Sequence, residues 1–281
     1  MRGVVVTGVS SGIGWGTTKV LVSKGIHVFG SVRKTQDAER LSTEFGNTFT
    51  PLRFDITDEK SVHAAARQVR ERLDGRTLFG LVNNAGIAVP GTLQHLSIAD
   101  YRLQLEVNLV GQLIITQAFL PLLGTDSALT GTPGRIINVS SVGGRIGAPF
   151  LGAYAASTHG LEGFSESLRR ELMVYGIDVI IVAPGSVATP IWDKAEQVDL
   201  SSYADTEYVE AAKRVQKYMI EDGRKGYPPE KVGEVVWHAL TTPKPRVRYA
   251  VEPGSFISRF IPRLLPKRII DRFIARNLGF R

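Results

Sequence analysis

The sequence predicts a doubly wound α/β fold, in which helices flank a mainly parallel sheet within a single domain. Helical patterns alternate with strand-like apolar runs, which lie at 3–7, 26–31, 78–83, 135–140, 178–183 and 246–251. This alternation is typical of parallel βαβ units. A glycine-rich turn joins the first run to the first helical pattern, and the length of 281 residues allows one domain with a sizeable core.

The glycine-rich turn indicates a binding site for a dinucleotide cofactor. It reads T-G-V-S-S-G-I-G at 7–14, directly after an apolar strand. Gly8 allows a tight turn, while Gly12 and Gly14 leave room for a pyrophosphate at the amides and positive dipole of a helix N-terminus. The spacing differs from the common G-x-G-x-x-G, so glycines that merely form a βα turn are the alternative. The predicted cofactor contacts in this turn are Gly8, Ser10, Ser11, Gly12, Ile13 and Gly14.

Two cations after the second strand predict a preference for NADP(H) over NAD(H). The chain reads G-S-V-R-K at 30–34, with Arg33 and Lys34 where a carboxylate would bind the 2′-hydroxyl of NAD. A planar guanidinium suits the 2′-phosphate of NADP. The alternative is that Arg33 is a solvated cation of the loop.

Small and polar residues farther along predict the adenine and ribose pocket. The strand L-V-N-N-A-G at 81–86 ends in residues that let the backbone approach a cofactor, and D-I at 55–56 follows another apolar run. The predicted contacts are Asp55, Ile56, Asn84, Ala85 and Gly86. Asn108 lies among apolar neighbours in the helical segment E-V-N-L-V-G, where a buried amide needs partners, so a purely structural role is equally open.

The next segments complete a set of motifs that resembles a known family. The strand R-I-I-N-V-S-S ends at Ser141, and Tyr154 follows thirteen residues later at the start of a long helix. Together with the glycine turn, N-N-A-G, Asn108 and P-G-S-V-A-T at 184–189, they resemble the short-chain dehydrogenase/reductase family in order and spacing over residues 1 to about 250. The resemblance implies a Rossmann-like sheet of seven strands, and the sequence is most similar to the steroid and retinoid dehydrogenase branch.

The resemblance also implies catalytic roles. Tyr154 would exchange a proton with the substrate oxygen, while the nicotinamide exchanges a hydride with the substrate carbon. Ser141, rather than the adjacent Ser140, would hydrogen-bond that oxygen. Asn108 would hold a water molecule of the proton relay.

Two further implications concern the cofactor and the assembly. The backbone of Val187 and the hydroxyl of Thr189 would bind the nicotinamide carboxamide. Family members usually pair through two long helices, which fall here at about 102–123 and 153–175, so the resemblance implies a homodimer or homotetramer.

Thr158 departs from the family pattern Y-x-x-x-K, because the chain reads Y-A-A-S-T. A cation beside a phenol lowers the phenol pKa from about 10, and threonine cannot supply that charge. Loss of a well-placed acid/base component typically costs about 10²–10⁴ in rate. His159 points about 140° around the helix from Tyr154 and is a poor substitute. Either the threonine was introduced to disable the enzyme, or it is natural and the protein is slow or uses another relay.

Apolar residues near the predicted site, with Arg145 as the sole nearby cation, favour an apolar substrate. They are Ile87, Val89, Leu93, Ile146, Pro149 and Phe150. We therefore predict an NADP(H)-dependent oxidoreductase acting on an apolar secondary alcohol or ketone of steroid, retinoid or similar lipophilic type, with activity impaired by Thr158. The alternative is a catalytically weak or inactive NADPH-binding protein with a binding or regulatory role.

The basic charge of the chain is concentrated in its tail. Residues 255–281 hold seven Lys or Arg against Asp271, out of a net charge of +7, so the body is almost neutral and nucleic acid is not an expected partner. We predict a domain over 1–254 with a substrate lid at about 190–228, and a basic amphipathic extension over 255–281. A helix at 266–278, with Ile270, Phe273, Ile274 and Leu278 on one side, would contact a membrane weakly, or pack on the body or a partner subunit.

Composition also bounds the chemistry and the location. No run of about 18 uncharged apolar residues occurs, and the first strand begins at the N-terminus, so neither a membrane span nor a signal peptide is expected. The chain has no cysteine, and its five histidines lack metal-ligand spacing. We therefore predict a cytoplasmic protein, with peripheral attachment at a membrane surface as the alternative, and no metal site.

Overall fold

A computed structural model describes residues 2–252 and 266–280, and a seven-stranded parallel sheet lies at its centre. The sheet order is β3-β2-β1-β4-β5-β6-β7, with every neighbouring pair parallel. The predicted fold class is therefore confirmed. The strands are β1 Gly3–Val6, β2 His27–Val32, β3 Phe49–Arg53, β4 Gly80–Asn83, β5 Arg135–Val139, β6 Asp178–Pro184 and β7 Arg248–Val251.

Helices follow most of the strands, as the alternating pattern predicts. Shorter 3₁₀ turns lie at Gly46–Thr48, Leu120–Leu123, Val142–Arg145, Leu172–Tyr175 and Ser201–Tyr203, and a π-helical turn lies at Glu106–Val110. The α-helices of the described residues are α1 Gly12–Ser23, α2 Thr35–Phe45, α3 Glu59–Leu73, α4 Ile98–Leu105, α5 Gly111–Phe119, α6 Gly152–Glu171, α7 Ile191–Glu196, α8 Val209–Arg224, α9 Pro229–Thr241 and α10 Lys267–Leu278.

The contacts within the chain divide it into two compact units. The first comprises Met1–Gly185 and Pro228–Val251 and carries the sheet with α1–α6 and α9. The second comprises Ser186–Tyr227 and Glu252–Arg281 and carries α7, α8 and α10. The sequence-derived limits at 1–254 and 255–281, and the lid at 190–228, stay predictions.

Helices cover both faces of the sheet and bury the strand side chains that point alternately to each face. In β1, Val4, Val5 and Val6 are all fully buried, as expected of a parallel strand with helices on either side. On the face of Val5, helices α3, α5 and α6 contribute Val62, Ile115 and Leu168 to the main core cluster. Helices α1 and α9 pack on each other through small residues, because a Cβ on Gly233 would lie 2.9 Å from the carbonyl oxygen of Gly16.

The strand order places the candidate site at the carboxyl ends of the central strands β1 and β4. The chain runs outward from β1 through β2 to β3, and then returns to the other side of β1 with β4. In open α/β sheets, ligands bind beyond the carboxyl ends of the strands where the order reverses. Here the residues at that position are the glycine turn after β1 and the N-N-A-G segment at the end of β4.

The helical segment Ile98–Leu123 is long and apolar enough, by length and composition, to cross a membrane. Core helices pass the same test, and 44% of its most apolar 18-residue window is buried inside the molecule. Ile115 and Phe119 of this segment belong to the main core cluster. The segment therefore packs as a core helix of the first unit.

The predicted helix of the tail is present as α10, whereas residues 255–265 of the predicted extension lie outside the described residues. Within the second unit, α10 packs on α8. The ring of Phe280 meets Tyr208 edge-on at 6.3 Å between ring centroids. Ile270, Ile274 and Leu278 are half-buried, while Phe273 is exposed, so only part of the predicted apolar side is covered.

Candidate active site

The turn after β1 depends on glycine at three positions. Gly8 and Gly12 have φ angles of +71° and +59°, in the left-handed region that side chains disfavour. At Gly14, a Cβ would lie 2.2 Å from the carbonyl oxygen of Gly8 and 2.6 Å from Nδ2 of Asn84. Gly8 and Gly12 therefore allow the backbone conformation of the turn, and Gly14 allows Gly8 and Asn84 to pack closely against the start of α1.

Side chains from β4 and β2 hold this turn in place. The hydroxyl of Thr7 accepts hydrogen bonds from the backbone N–H groups of Asn84 and Ala85, both at 2.9 Å. Nδ2 of Asn84 donates to the carbonyl oxygens of Thr7 and Gly8, at 2.8 and 3.3 Å. The N–H of Gly8 donates to Oγ of Ser31 at 2.9 Å. Asn84 and Ala85 thus meet the glycine turn, as the sequence predicts.

The N-terminus of α1 is arranged to receive an anion. Ser11 precedes the helix without a side-chain capping bond, and the first turn contains no acidic residue. The first N–H groups of a helix lack intrahelical partners and carry the positive end of its dipole. Ile13 is half-buried in this first turn, and the carbonyl oxygen of Ser10 accepts a 2.7 Å hydrogen bond from Arg40. These residues can hold a pyrophosphate.

Arg33 and Asp55 meet at the ends of β2 and β3. Nη1 of Arg33 lies 3.7 Å from Oδ2 of Asp55, and both side chains are exposed to solvent. Burial opposes ionisation of Asp55, but hydrogen bonds from Thr57 and the charge of Arg33 outweigh it, so the Asp55 pKa lies below its usual value. Asp55 is thus a carboxylate that steadies Arg33, and Ile56 beside it is buried.

Asn108 ties the π-helical turn to the segment after β4. Its Oδ1 accepts from the N–H of Ile87, and its Nδ2 donates to the carbonyl oxygen of Ile87, both at 2.9 Å. Nδ2 also lies 3.3 Å from Oγ of Ser157 on α6. A Cβ on Gly86 would lie 3.2 Å from Oδ1 of Asn108. The amide therefore has structural partners, and it lies in a π turn, a feature frequent at functional sites.

Ser141 and Tyr154 are brought together by the ends of β5 and α6. The hydroxyl of Ser141 is placed to hydrogen-bond the phenolate of Tyr154 and so to lower its pKa, and Oγ of Ser141 accepts from the N–H of Gly143 at 3.0 Å. Phe150, just before α6, has a φ of +64°, which is unusual for a bulky residue, and its carbonyl oxygen accepts from the N–H of Gly91 at 2.7 Å. The start of the Tyr154 helix is therefore held by specific backbone contacts.

Burial dominates the acidity of Tyr154. Removal of water from the phenolate raises the pKa of Tyr154 above its usual value, and the hydrogen bond from Ser141 opposes this shift only in part. No positive charge of the described residues contributes to the shift. The phenol is therefore protonated at neutral pH.

Thr158 uses its hydroxyl on the backbone of its own helix. The Oγ1 atom lies 3.0 Å from the carbonyl oxygen of Tyr154 and 3.2 Å from that of Ala155, and the residue is buried. The ring of His159 is bound to the carbonyl oxygen of Ala155 at 2.8 Å and is exposed. Neither residue supplies the charge that a lysine would bring.

Val187 and Thr189 lie in the second unit. The N–H of Ala188 donates to the carbonyl oxygen of Tyr227 at 2.9 Å, and Nε1 of Trp192 donates to the carbonyl oxygen of Val187 at 2.7 Å. Val187 is buried and Thr189 is half-buried. Their predicted contact with a nicotinamide stays a prediction.

The structure reveals a charged cluster that the sequence analysis missed. Glu162 on α6 binds both Arg145 and Arg248, and Nη2 of Arg248 lies 3.3 Å from the carbonyl oxygen of Ser141. The prediction that Arg145 is the sole cation near the site is therefore wrong. Arg248 is 107 residues from Ser141 in the sequence, and only the pairing of β6 with β7 brings it to the site.

The parallel sheet, the glycine turn and the Ser141–Tyr154 pair define a nicotinamide-dependent oxidoreductase, and the comparisons with known proteins agree. The family model described as short chain dehydrogenase matches residues 2–199. The chain belongs to the short-chain dehydrogenase/reductase family, as the sequence motifs predict, and is an oxidoreductase of that family.

Similar proteins include reductases and dehydrogenases. The chain is 39% identical to the NADPH-dependent 3-dehydrocapnine reductase of Ornithobacterium rhinotracheale, over 99% of this chain and 98% of the relative. It is 33% identical to retinol dehydrogenase 16 of Mus musculus, over 96% and 87%. It is 32% identical to 17-beta-hydroxysteroid dehydrogenase type 6 of Homo sapiens, over 98% and 88%.

A solved structure supports the fold. The crystal structure of a short-chain dehydrogenase from Streptomyces avermitilis matches with a TM-score of 0.76, over 99% of this chain and 97% of that one. Its sequence identity is 24%, so this likeness concerns the fold.

Proposed function

We propose that this protein is an NADP(H)-dependent oxidoreductase that interconverts an apolar ketone and a secondary alcohol, at a rate limited by Thr158. The observation that carries the proposal is the environment of Tyr154, whose pKa is raised by burial while the hydroxyl of Ser141 beside it opposes the shift. A protonated phenol beside a hydroxyl can donate a proton to a carbonyl oxygen held between them.

The residues after β1 fit a dinucleotide. Ser11 makes no capping hydrogen bond, and the first turn of α1 contains no acidic residue that would repel a pyrophosphate. The N–H groups of this turn would hold the pyrophosphate, and the bound nicotinamide would exchange the hydride with the substrate carbon. Tyr154 would give its proton to the carbonyl oxygen in reduction, and Ser141 would fix that oxygen by a hydrogen bond.

Thr158 limits alcohol oxidation, in which Tyr154 accepts a proton, more strongly than it limits ketone reduction. Oxidation of an alcohol requires the phenolate of Tyr154 as the base, and the family lysine that would stabilise this phenolate is replaced by a buried threonine bound to backbone carbonyls. Without that charge, the phenolate is scarce at neutral pH. Reduction needs the protonated phenol and is therefore the favoured direction near neutrality.

The preference for NADP(H) is supported by charge at the end of β2. Arg33 and Lys34 stand where an NAD-specific site would carry a carboxylate, and the exposed guanidinium of Arg33 is free to turn from Asp55 towards a 2′-phosphate. A relative that is 39% identical is named as NADPH-dependent. These two observations favour the same cofactor.

Apolar side chains next to Tyr154 support a lipophilic substrate. Leu93 is exposed and lies against the first residue of α6, where a Cβ on Gly152 would be 2.6 Å from its Cγ. Ile146, directly after the Ser141 turn, is also exposed. Arg145 is bound to Glu162, so its charge is already paired. The names of the relatives, with retinol, a hydroxysteroid and 3-dehydrocapnine, agree with a lipophilic class.

The alternative is an NADPH-binding protein with little or no catalysis. Variants of Thr158 distinguish the two functions, because this residue occupies the position of the family lysine. The experiment measures NADPH oxidation with 3-dehydrocapnine, a steroid ketone and other apolar ketones, for the wild type, Thr158→Lys and Thr158→Met. Methionine controls for a longer side chain without charge. NADPH dissociation constants are measured for each protein, so that a loss of turnover can be separated from a loss of cofactor.

We expect Thr158→Lys to raise kcat for ketone reduction by about 10²–10⁴, because a nearby cation makes the Tyr154 phenol a stronger acid, and Thr158→Met to leave it unchanged. The charge of the lysine would then account for the gain. If NADPH binds but neither the wild type nor Thr158→Lys reduces any ketone, the oxidoreductase proposal fails and the binding protein is favoured. If the wild type and Thr158→Lys turn over equally fast, the claim that Thr158 limits the rate is wrong.

A further inference from the structure

We infer that Glu162 is a positioning residue, which sets the hydroxyl of Ser141 against Tyr154 by holding both ends of the turn Val142–Arg145. This inference rests on the proposed function, because it assigns Glu162 a task in the same reaction. Glu162 lies about two turns after Tyr154 on α6, and its carboxylate is bound by Arg145 and Arg248. Its effect must therefore pass through Ser141.

One carboxylate makes both ties. At the end of the turn, Nε of Arg145 lies 2.8 Å from Oε2 of Glu162. At its start, Arg248 approaches Glu162 with Nε at 2.9 Å and Nη2 at 2.8 Å from Oε1, while the same Nη2 lies 3.3 Å from the carbonyl oxygen of Ser141. The planar guanidinium of Arg248 thus connects helix α6 to the Ser141 backbone in a fixed geometry.

The burial of this pair indicates a positional role. The side chains of Glu162 and Arg248 are 10% and 9% exposed, whereas that of Arg145 is 51% exposed. A buried ion pair gains little net stability over apolar residues of the same volume, because both charges lose their hydration. It does fix direction, since each remaining donor and acceptor needs a partner in a defined place.

Gly144 shows how closely the turn and the carboxylate fit. A Cβ at this position would lie 2.8 Å from Oε1 of Glu162 and 2.8 Å from Oγ of Ser140. Glycine therefore lets the carboxylate lie directly against the turn. A methyl group here would displace Glu162 while keeping every charge of the cluster.

The test uses Glu162→Gln and Gly144→Ala, each alone and combined with Ser141→Ala. Glu162→Gln leaves Arg248 buried without its counter-charge and is expected to lower the melting temperature, so Gly144→Ala provides a second variant that displaces the carboxylate but keeps every charge. The control is Glu166→Gln, which removes an exposed ion pair with Arg170 one turn farther along the same helix. Ketone reduction and NADPH binding are measured below the melting temperature of each variant.

We expect Glu162→Gln and Gly144→Ala to lower kcat by about 10- to 100-fold, since a displacement of about 1 Å at a reacting group costs this much. The NADPH dissociation constant and the control should not change. In the Ser141→Ala background, either change should alter kcat by less than about twofold, because both act through the same hydroxyl. Losses that multiply in the double variants would overturn the inference.

A second readout does not need turnover. With ¹³Cζ-labelled tyrosine, assigned by Tyr154→Phe, the Tyr154 resonance reports the hydrogen bond from Ser141. Glu162→Gln should move this resonance in the same direction as Ser141→Ala, and Glu166→Gln should not. If the wild type reduces no ketone, the proposed function fails, while this resonance still decides the role of Glu162. A Tyr154 resonance unmoved by Glu162→Gln shows that the carboxylate does not position Ser141.

Discussion

Two opposing effects, burial and the neighbouring hydroxyl of Ser141, control the pKa of Tyr154. Burial destabilises the phenolate, and the hydroxyl of Ser141 stabilises it by donating a hydrogen bond. Each unit of pKa corresponds to about 1.4 kcal/mol between the two protonation states, so the balance of these effects sets the fractions of phenol and phenolate available for each direction of the reaction. No positive charge of the described residues offsets burial at Tyr154, so this balance lies on the side of the neutral phenol.

The raised pKa of Tyr154 predicts different pH profiles for the two directions. Alcohol oxidation requires the phenolate, so its kcat should still be rising with pH at about 10, the pKa of an unperturbed phenol. Ketone reduction requires the phenol and should be level from neutral pH up to the same region. Thr158→Lys should move the oxidation profile to lower pH. The measurement is kcat against pH in both directions, with Tyr154→Phe as the control.

An oxidation profile that reaches its plateau near pH 7 in the wild type would contradict this expectation. It would mean that a cation outside the described residues lowers the Tyr154 pKa. Loss of the pH dependence in Tyr154→Phe is needed to assign the profile to this phenol.

Residues in short motifs were predictable from the sequence, whereas residues joined by the fold were not. The contact between Asn84 and the glycine turn follows from strand order and strand ends. The ion pair of Glu162 with Arg248 does not follow from the sequence, because Arg248 is 86 residues away and nothing in its local sequence marks it. An acidic residue on a helix is usually solvated, and only the burial of Glu162 distinguishes it.

At the level of elements, the ends of β2 and β3 carry the groups that we propose select the cofactor. Arg33 directly follows β2, and Asp55 lies two residues after β3. The parallel pairing of these strands brings the two side chains together. Arg53, the last residue of β3, hydrogen-bonds Thr35 at the start of α2, at 3.2 Å. The same parallel pairing thus sets positive charge around the expected place of the adenosine ribose.

Charge reversal at Arg33 should exchange the cofactor preference. Arg33→Asp is expected to weaken NADPH binding by about 10- to 100-fold, the worth of a charge-assisted hydrogen bond, and to weaken NADH binding much less. Dissociation constants from nucleotide fluorescence test this. The matched control is Lys60→Asp, which reverses an exposed charge on α3. Tighter binding of NADH than NADPH by the wild type would show that Arg33 is only a loop cation.

Regular elements were easier to predict than irregular ones. Six apolar runs overlap six of the seven strands, because continuous apolar runs are typical of strands buried on both faces. The apolar run before Asp55 forms β3, which was not among the predicted strands because Thr50 and Pro51 interrupt its apolar pattern. The π turn at Glu106–Val110 lies within a predicted helical segment, and its sequence does not distinguish it from the α-helices on either side.

On the scale of the whole molecule, one apolar surface has no cover within the described residues. Leu103, Val110 and Leu113 recur at helical spacing on the segment Ile98–Leu123 and are 49%, 41% and 40% exposed. Several apolar side chains on one side of a helix are typical of an interface. We propose that this surface pairs two copies of the chain, as the resemblance to the family implies for these helices.

A charge on this surface should therefore break the assembly. Leu113→Glu removes a buried apolar contact worth about 1.5–3 kcal/mol and places a carboxylate in the interface, so the dissociation constant should rise at least about 100-fold. Mass measured by light scattering after gel filtration, over a range of concentrations, reports the change. Val247→Glu, which alters an apolar residue of similar exposure elsewhere, is the control and should leave the mass unchanged. A wild type that is monomeric, or a Leu113→Glu variant that keeps the wild-type mass, would show that the surface does not join two copies.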